Sequence, residues 1–119
     1  MSSLDAELRE DENVWRMWCE LGVTEKSPLE VDFSFYATSK EFADMIADSL
    51  RQWGLIKVEI KCTRTLWLFR GWEVLGVEVG TWSLEKLQDR TRRYERLVEI
   101  WRATYDGYGA MMPDEREDT

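Results

Sequence analysis

The order of hydrophobic periods along this chain predicts an α+β fold, with two helices alternating with four strands behind an additional N-terminal helix. Three observations carry that prediction. Apolar residues recur at helical spacing in three segments, near residues 4–21, 42–53 and 84–103. They alternate with polar residues in short runs that start at Val31, Ile56 and Trp72. Gly, Pro, Ser or Thr stands at the borders, where turn and cap chemistry is needed.

In the first segment Leu4, Leu8, Val14, Trp15, Trp18 and Leu21 fall on one stripe, and Gly22 is placed to end the helix. Residues 24–28 form a connector, because Pro28 forbids helix continuation. Val31, Phe33 and Phe35 then face one side of a strand, with Asp32, Ser34 and Tyr36 on the other. Thr38 and Glu41 have the spacing of a capping box, in which each side chain satisfies an N–H that the helix leaves orphaned. The helix stripe that follows is Phe42, Met45, Ile46, Leu50 and Trp53, ending at Gly54.

Ile56, Val58 and Ile60 alternate with Lys57, Glu59 and Lys61, which predicts a second half-buried strand. An apolar run continues to Phe69, and Arg70-Gly71 reads as a turn or bulge before a third strand over 72–79, disturbed at Gly76. Thr81-Trp82-Ser83 supplies a second capping signal for the last helix, with Glu85 in its first turn. That helix, 84–103, is expected to bury Leu87, Tyr94, Leu97, Val98 and Trp101. Asp106-Gly107 is a turn signal that would lead into a final strand at 108–112.

A β-α-β-β-α-β order within residues 29–112 fits a ferredoxin-like sandwich, with both helices on one sheet face. Asp32, Ser34, Tyr36, Lys57, Glu59 and Lys61 would then belong to the other face, left open or covered by the first helix. Residues 1–28 are expected as a helical extension and connector, and 113–119 as an acidic tail.

The net charge of -8 is concentrated at the ends. Residues 1–13 carry five acids against Arg9 and residues 113–119 carry four against Arg116, leaving the middle at -1. Acidic ends either repel phosphate and attract basic partners, or merely keep the chain soluble. The chain has no His and only two cysteines, Cys19 and Cys62, which excludes the usual zinc spacings and any Ser-His or Cys-His nucleophile pair. Both thiols are expected to be small buried hydrophobes. No carboxylate pair, phosphate-cradling Gly loop or nucleophile elbow stands out, so no catalytic residue, cofactor or metal is expected. There is no apolar run of membrane-spanning length and no signal-peptide pattern near Met1, and a cytoplasmic location with no membrane partner is expected.

Seven tryptophans need places. Trp53 and Trp101 lie on helix stripes and are expected in the core, while Trp15 and Trp18 dock the first helix. Trp67, Trp72 and Trp82 crowd around the connection between the second and third strands, with Phe69 and Arg70. Such aromatics either pair across the strands and against the first helix, or form a partner-binding patch of Trp67, Phe69, Arg70 and Trp72. On the last helix, Asp89–Arg93, Arg92–Glu95 and Arg96–Glu99 have the spacing of surface ion pairs. The alternative is a basic patch of Arg90, Arg93 and Arg64. Direct RNA binding ranks second to protein binding: the sheet would offer Tyr36 beside Asp32, and the third strand lacks the RNA-recognition pattern.

Tyr105-Asp106-Gly107-Tyr108-Gly109 follows the final helix, Val31 to Tyr36 precede a capped helix, and Trp72-Glu73-Val74 opens the third strand. In this order the three motifs resemble the bacterial regulator of ribonuclease activity B (RraB) family, over residues 29–112. Tyr108 stands where the family more usually has Trp. The resemblance implies a ferredoxin-like fold and a non-enzymatic regulator that binds an RNase E-type endoribonuclease and restrains its cleavage of RNA. In the reading that this resemblance implies, the basic and poorly structured segments of the partner would meet an acidic surface, with aromatic anchors adding affinity. An RNA-binding module or an immunity-type binder on the same fold are the alternatives. Tyr105, Asp106, Gly107 and Tyr108 read as structural, a turn that aims the last strand into the sheet.

Overall fold

A computed structural model describes residues 3–65 and 69–112. The chain runs α1 (Ser3–Glu20), β1 (Pro28–Ala37), α2 (Lys40–Gln52), β2 (Ile56–Thr65), β3 (Phe69–Thr81), α3 (Leu84–Ile100) and β4 (Thr104–Ala110). The strands form one sheet in the order β2-β3-β1-β4, every neighbouring pair antiparallel. This α+β arrangement is compatible with a ferredoxin-like sandwich. No described helix is long and apolar enough to cross a membrane.

The core lies on the helix side of β1, one of the two central strands. Leu29, Val31, Phe33, Phe35 and Ala37 are all fully buried there, as the period of two requires. Phe33 and Phe35 each meet the Tyr94 ring of α3, at 4.8 and 5.1 Å between centroids. Ile46 and Leu50 of α2 and Leu87, Leu97 and Val98 of α3 complete the layer. Both helices start on a serine whose hydroxyl accepts a backbone N–H, Ser39 from Phe42 at 3.3 Å and Ser83 from Lys86 at 3.1 Å. The first cap is therefore Ser39, one residue later than the Thr38 capping box, because Ser39 is the residue in extended backbone before the helix.

Helix α3 ends earlier than its apolar pattern suggests. Arg102 takes a left-handed φ of 50°, and the Ala103 N–H donates to the Val98 carbonyl at 2.9 Å. This is the closing bond found at helix ends that usually carry glycine. With the turn already made at Arg102, Asp106-Gly107 is not the helix-to-strand turn. It lies inside β4, which spans 104–110 and not 108–112, at a register shift: Phe35 pairs with Tyr105 and Ser34 with Gly107, so Asp106 is the extra residue of a bulge. Gly107 adopts φ 109°, which a side chain would strain. The bulge places both Tyr105 and Tyr108 on the core side, opposite Phe35 and Phe33, although strict alternation would separate residues three apart.

A second irregularity corrects β2. Lys57 has φ 52°, and the register shifts between Ile56 and Glu59. Val58 and Ile60 pack on the core, while Ile56 pairs with Val77 and is 48% exposed, not inward as alternation predicts. Both cysteines are exposed as well. Cys62 lies on the edge strand two residues past Ile60, and Cys19 on the solvent side of α1.

Helix α1 packs along α3 and against β4, on the same side of the sheet as α2. Trp18 and Val23 are buried in the common core, and Trp18 meets Tyr108 edge-on at 6.0 Å. Trp82 is also fully buried, 6.1 Å from Phe33, so it does not join a cluster at the β2–β3 connection. Trp53 reverses expectation in the other direction. It caps α2 and stays 41% exposed, because α3 covers its inner side alone.

Candidate functional site

Because α1 lies beside α3, no described element packs over the second face of the sheet. Cross-strand pairing builds that face in rows. Asp32 stands between Gly109 and Val77, and Val77 opposes Ile56. Ser34 stands between Gly107 and Leu75, and Leu75 opposes Glu59. Tyr36 stands between Thr104 and Glu73, and Glu73 opposes Lys61. Glu30 opposes Val79 at the end of the ladder.

The result is an apolar band with an acidic surround. Ile56 and Val79 are about half exposed, at 48% and 51%, beside the partly buried Leu75 and Val77. Glu30, Asp32, Glu59 and Glu73 border the band, and Lys61 is the one cation in these paired rows. Asp106, thrust out by its bulge, joins the acidic border: burial first and then the nearby Glu73 hold its carboxyl above the usual range. Tyr36 lies across the backbone of Gly71, where a Cβ would overlap the phenol. A glycine is required there for the ring to lie flat on the strand.

A second polar cluster joins α1, α3 and β4 on the core side. Asp11, only 3% exposed, accepts from Thr91 Oγ1 and from the Tyr108 hydroxyl, both at 2.7 Å. Burial raises the Asp11 pKa, against the two hydrogen bonds that favour its charge. Burial also pushes the Tyr94, Tyr105 and Tyr108 phenols well above the ordinary range. Glu95 is pushed up to about 7, first by burial and then by its hydrogen bond with Glu7. A cavity of about 310 Å³ opens beside Asp11, lined by Glu7, Glu10 and Tyr105 among others. Its donors and acceptors hold α1 in place. No described group of His, Cys, Asp or Glu is arranged to hold a metal ion.

The residues expected to bind a partner are only partly placed. Trp67 lies outside the described residues. Phe69 and Arg70 pair through their backbones with Thr65 and Arg64, and their side chains lie outside the description too. Trp72 is partly buried, pairs with Ala37 and Cys62, and packs on the core, on the opposite side from the uncovered face. Of the cations on α3, Arg90 is committed inward to Glu78 by two contacts of 2.8 Å, and Lys86 lies 3.7 Å from the same carboxylate. Arg90 is thus removed from any surface patch. Arg93 reaches Asp89 at 4.0 Å as expected, whereas Arg92–Glu95 and Arg96–Glu99 do not pair.

The apolar band was missed, although a signal for it was present. Leu75, Val77 and Val79 occupy alternate positions of β3 while Val74 occupies the other parity, so the strand is apolar on both faces. No protein-family model matches the chain, and no curated protein matches it.

Proposed function

We propose that this chain is a non-enzymatic, protein-binding regulator on a ferredoxin-like βαββαβ sandwich, and that its uncovered sheet face docks a basic partner segment with aliphatic anchors. The observation that supports this best is the pairing of an exposed apolar band, Ile56 with Val77 and Val79, with a border of Glu30, Asp32, Glu59 and Glu73. Aliphatic groups of the partner would cover the band, and lysines or arginines would reach the carboxylates around it. Burial supplies affinity, while the border and the net charge of -8 supply orientation and speed of encounter.

The partner class follows from the resemblance of Tyr105 to Gly109, Val31 to Tyr36 and Trp72 to Val74 to the RraB-like family: an RNase E-type endoribonuclease in the cytoplasm. Sequestering a basic segment of such an enzyme would restrain cleavage without any chemistry by this chain. RNA itself fits the face poorly, because its carboxylates meet phosphate with like charge.

The test is calorimetric titration of a basic fragment of such an endoribonuclease, and separately of oligouridylate, into the wild type and into Asp32→Lys/Val79→Lys. The expected result is fragment binding that weakens about tenfold or more in the variant, with no binding of oligouridylate. Unchanged fragment affinity in the variant, or tight salt-sensitive binding of oligouridylate, defeats the reading.

A further inference from the structure

We propose a second docking site on the opposite side of the molecule: the groove between the end of α2 and the second half of α3, fitted to an acidic protein segment with an aliphatic or aromatic anchor. The groove holds about 420 Å³. Its apolar wall is Trp53, Leu97 and Ile100, with Trp53 41% and Ile100 63% exposed. Its cationic wall is Arg92, Arg93 and Arg96.

The lining of this groove holds three arginines against one carboxylate. Glu95 and Glu99 lie with Arg92 and Arg96 on the neighbouring side of the helix. Among the described residues neither Arg92 nor Arg96 has an ion-pair partner. The one carboxylate in the lining, Asp89, is held by Arg90 at 2.8 Å and only approached by Arg93 at 4.0 Å. Two guanidinium groups beside a half-exposed tryptophan have the composition of an interface anchor, and their planar forks match carboxylates in bidentate geometry.

The shape favours a peptide over a nucleic acid. The Arg93 guanidinium already covers one face of the Trp53 ring, 4.7 Å from its centroid, and Tyr94 lies against the ring at 6.0 Å. Successive bases would find no open stacking platform. Ile100, over the buried Leu97, instead continues the wall as aliphatic surface, which suits a leucine or phenylalanine side chain. This site uses none of the residues of the sheet face and stands whether or not that face binds its partner.

The test is fluorescence anisotropy with a labelled acidic peptide, glutamates with leucines three and four apart, and with a labelled oligouridylate. The proteins are the wild type, Arg92→Glu/Arg96→Glu, Ile100→Asp and the sheet-face control Asp32→Lys. Binding of the peptide is expected to weaken about tenfold or more in the first two variants, to weaken with added salt, and to persist in the control. Thermal melts of all four should agree, since the altered side chains are exposed. Absence of peptide binding by the wild type overturns the proposal, as does equal binding by the double arginine variant. Tighter binding of oligouridylate, lost in that same variant, would also overturn it and reassign the groove to nucleic acid.

Discussion

On the helix side of β1, five alternate residues from Leu29 to Ala37 are fully buried under α2 and α3. On its other side Glu30, Ser34 and Tyr36 are partly exposed and Asp32 is exposed. The same backbone, with the same hydrogen bonds, presents both sets, so the contrast comes from what is stacked on each face. Burial of the inner set against Tyr94, Trp82 and Leu50 stabilises the molecule in proportion to apolar area removed from water. The outer set contributes less to folding, because no described element covers it. Apolar side chains on the same outer face of the neighbouring strands, above all Val79 of β3 and Ile56 of β2, are therefore the more informative ones, because folding does not require them there.

The largest effect expected from this contrast is at Phe33, which touches Tyr94, Trp82 and Tyr108. Phe33→Ala should lower the unfolding free energy by about 3–5 kcal/mol in urea titration at unchanged slope. A loss below about 1 kcal/mol would mean that the inner face is not the core. Next is Tyr108→Phe, which leaves the buried Asp11 carboxylate with Thr91 as its remaining donor and should cost about 1–3 kcal/mol in the same assay. Asp11→Asn added to it should then cost less than in the wild-type background, since the two changes break one network.

A smaller effect is the pH dependence of α1 docking. The folded chain holds the Glu95 proton with a pKa of about 7, against an ordinary 4.5 in the unfolded chain. The native state thus binds more protons between those values. The contribution of this group to stability should be full below about 4.5 and be lost as pH rises through 7. Glu95→Gln should flatten that decline and raise the melting temperature at pH 8 by a few degrees. An unchanged slope would show that the Glu7–Glu95 contact does not carry the proton. Smallest of all is the stability cost of Asp32→Lys or Val79→Thr on the uncovered face, within about 0.5 kcal/mol. If either destabilises as much as Tyr108→Phe, that face is covered after all.

Much of this arrangement was legible in the chain because it rests on local rules. The inward set Val31, Phe33 and Phe35, the cap at Ser83 and the helix end at Gly54 each follow from a few neighbouring residues. The misreadings fall where the backbone departs from regular geometry. One extra residue at Asp106 moves Tyr105 and Tyr108 to the same side, and the bulge at Lys57 turns Ile56 outward. No periodicity argument survives an inserted residue, since each shift exchanges the two faces.

The kind and sequence of the secondary-structure elements, and the side of β1 that points inward, were set by short-range chemistry: side-chain period, cap hydroxyls and breakers. Where α1 lies was settled by contacts between residues 80 to 97 positions apart, Gln88 to Leu8, Thr91 to Asp11 and Tyr108 to Asp11. Those contacts place α1 beside α3, which leaves the second sheet face uncovered. The exposure of Trp53, the burial of Trp82 and the unpaired charge on α3 belong to the same level. Each depends on which distant surfaces meet, a free-energy balance over the whole packed molecule that no window of neighbouring residues contains.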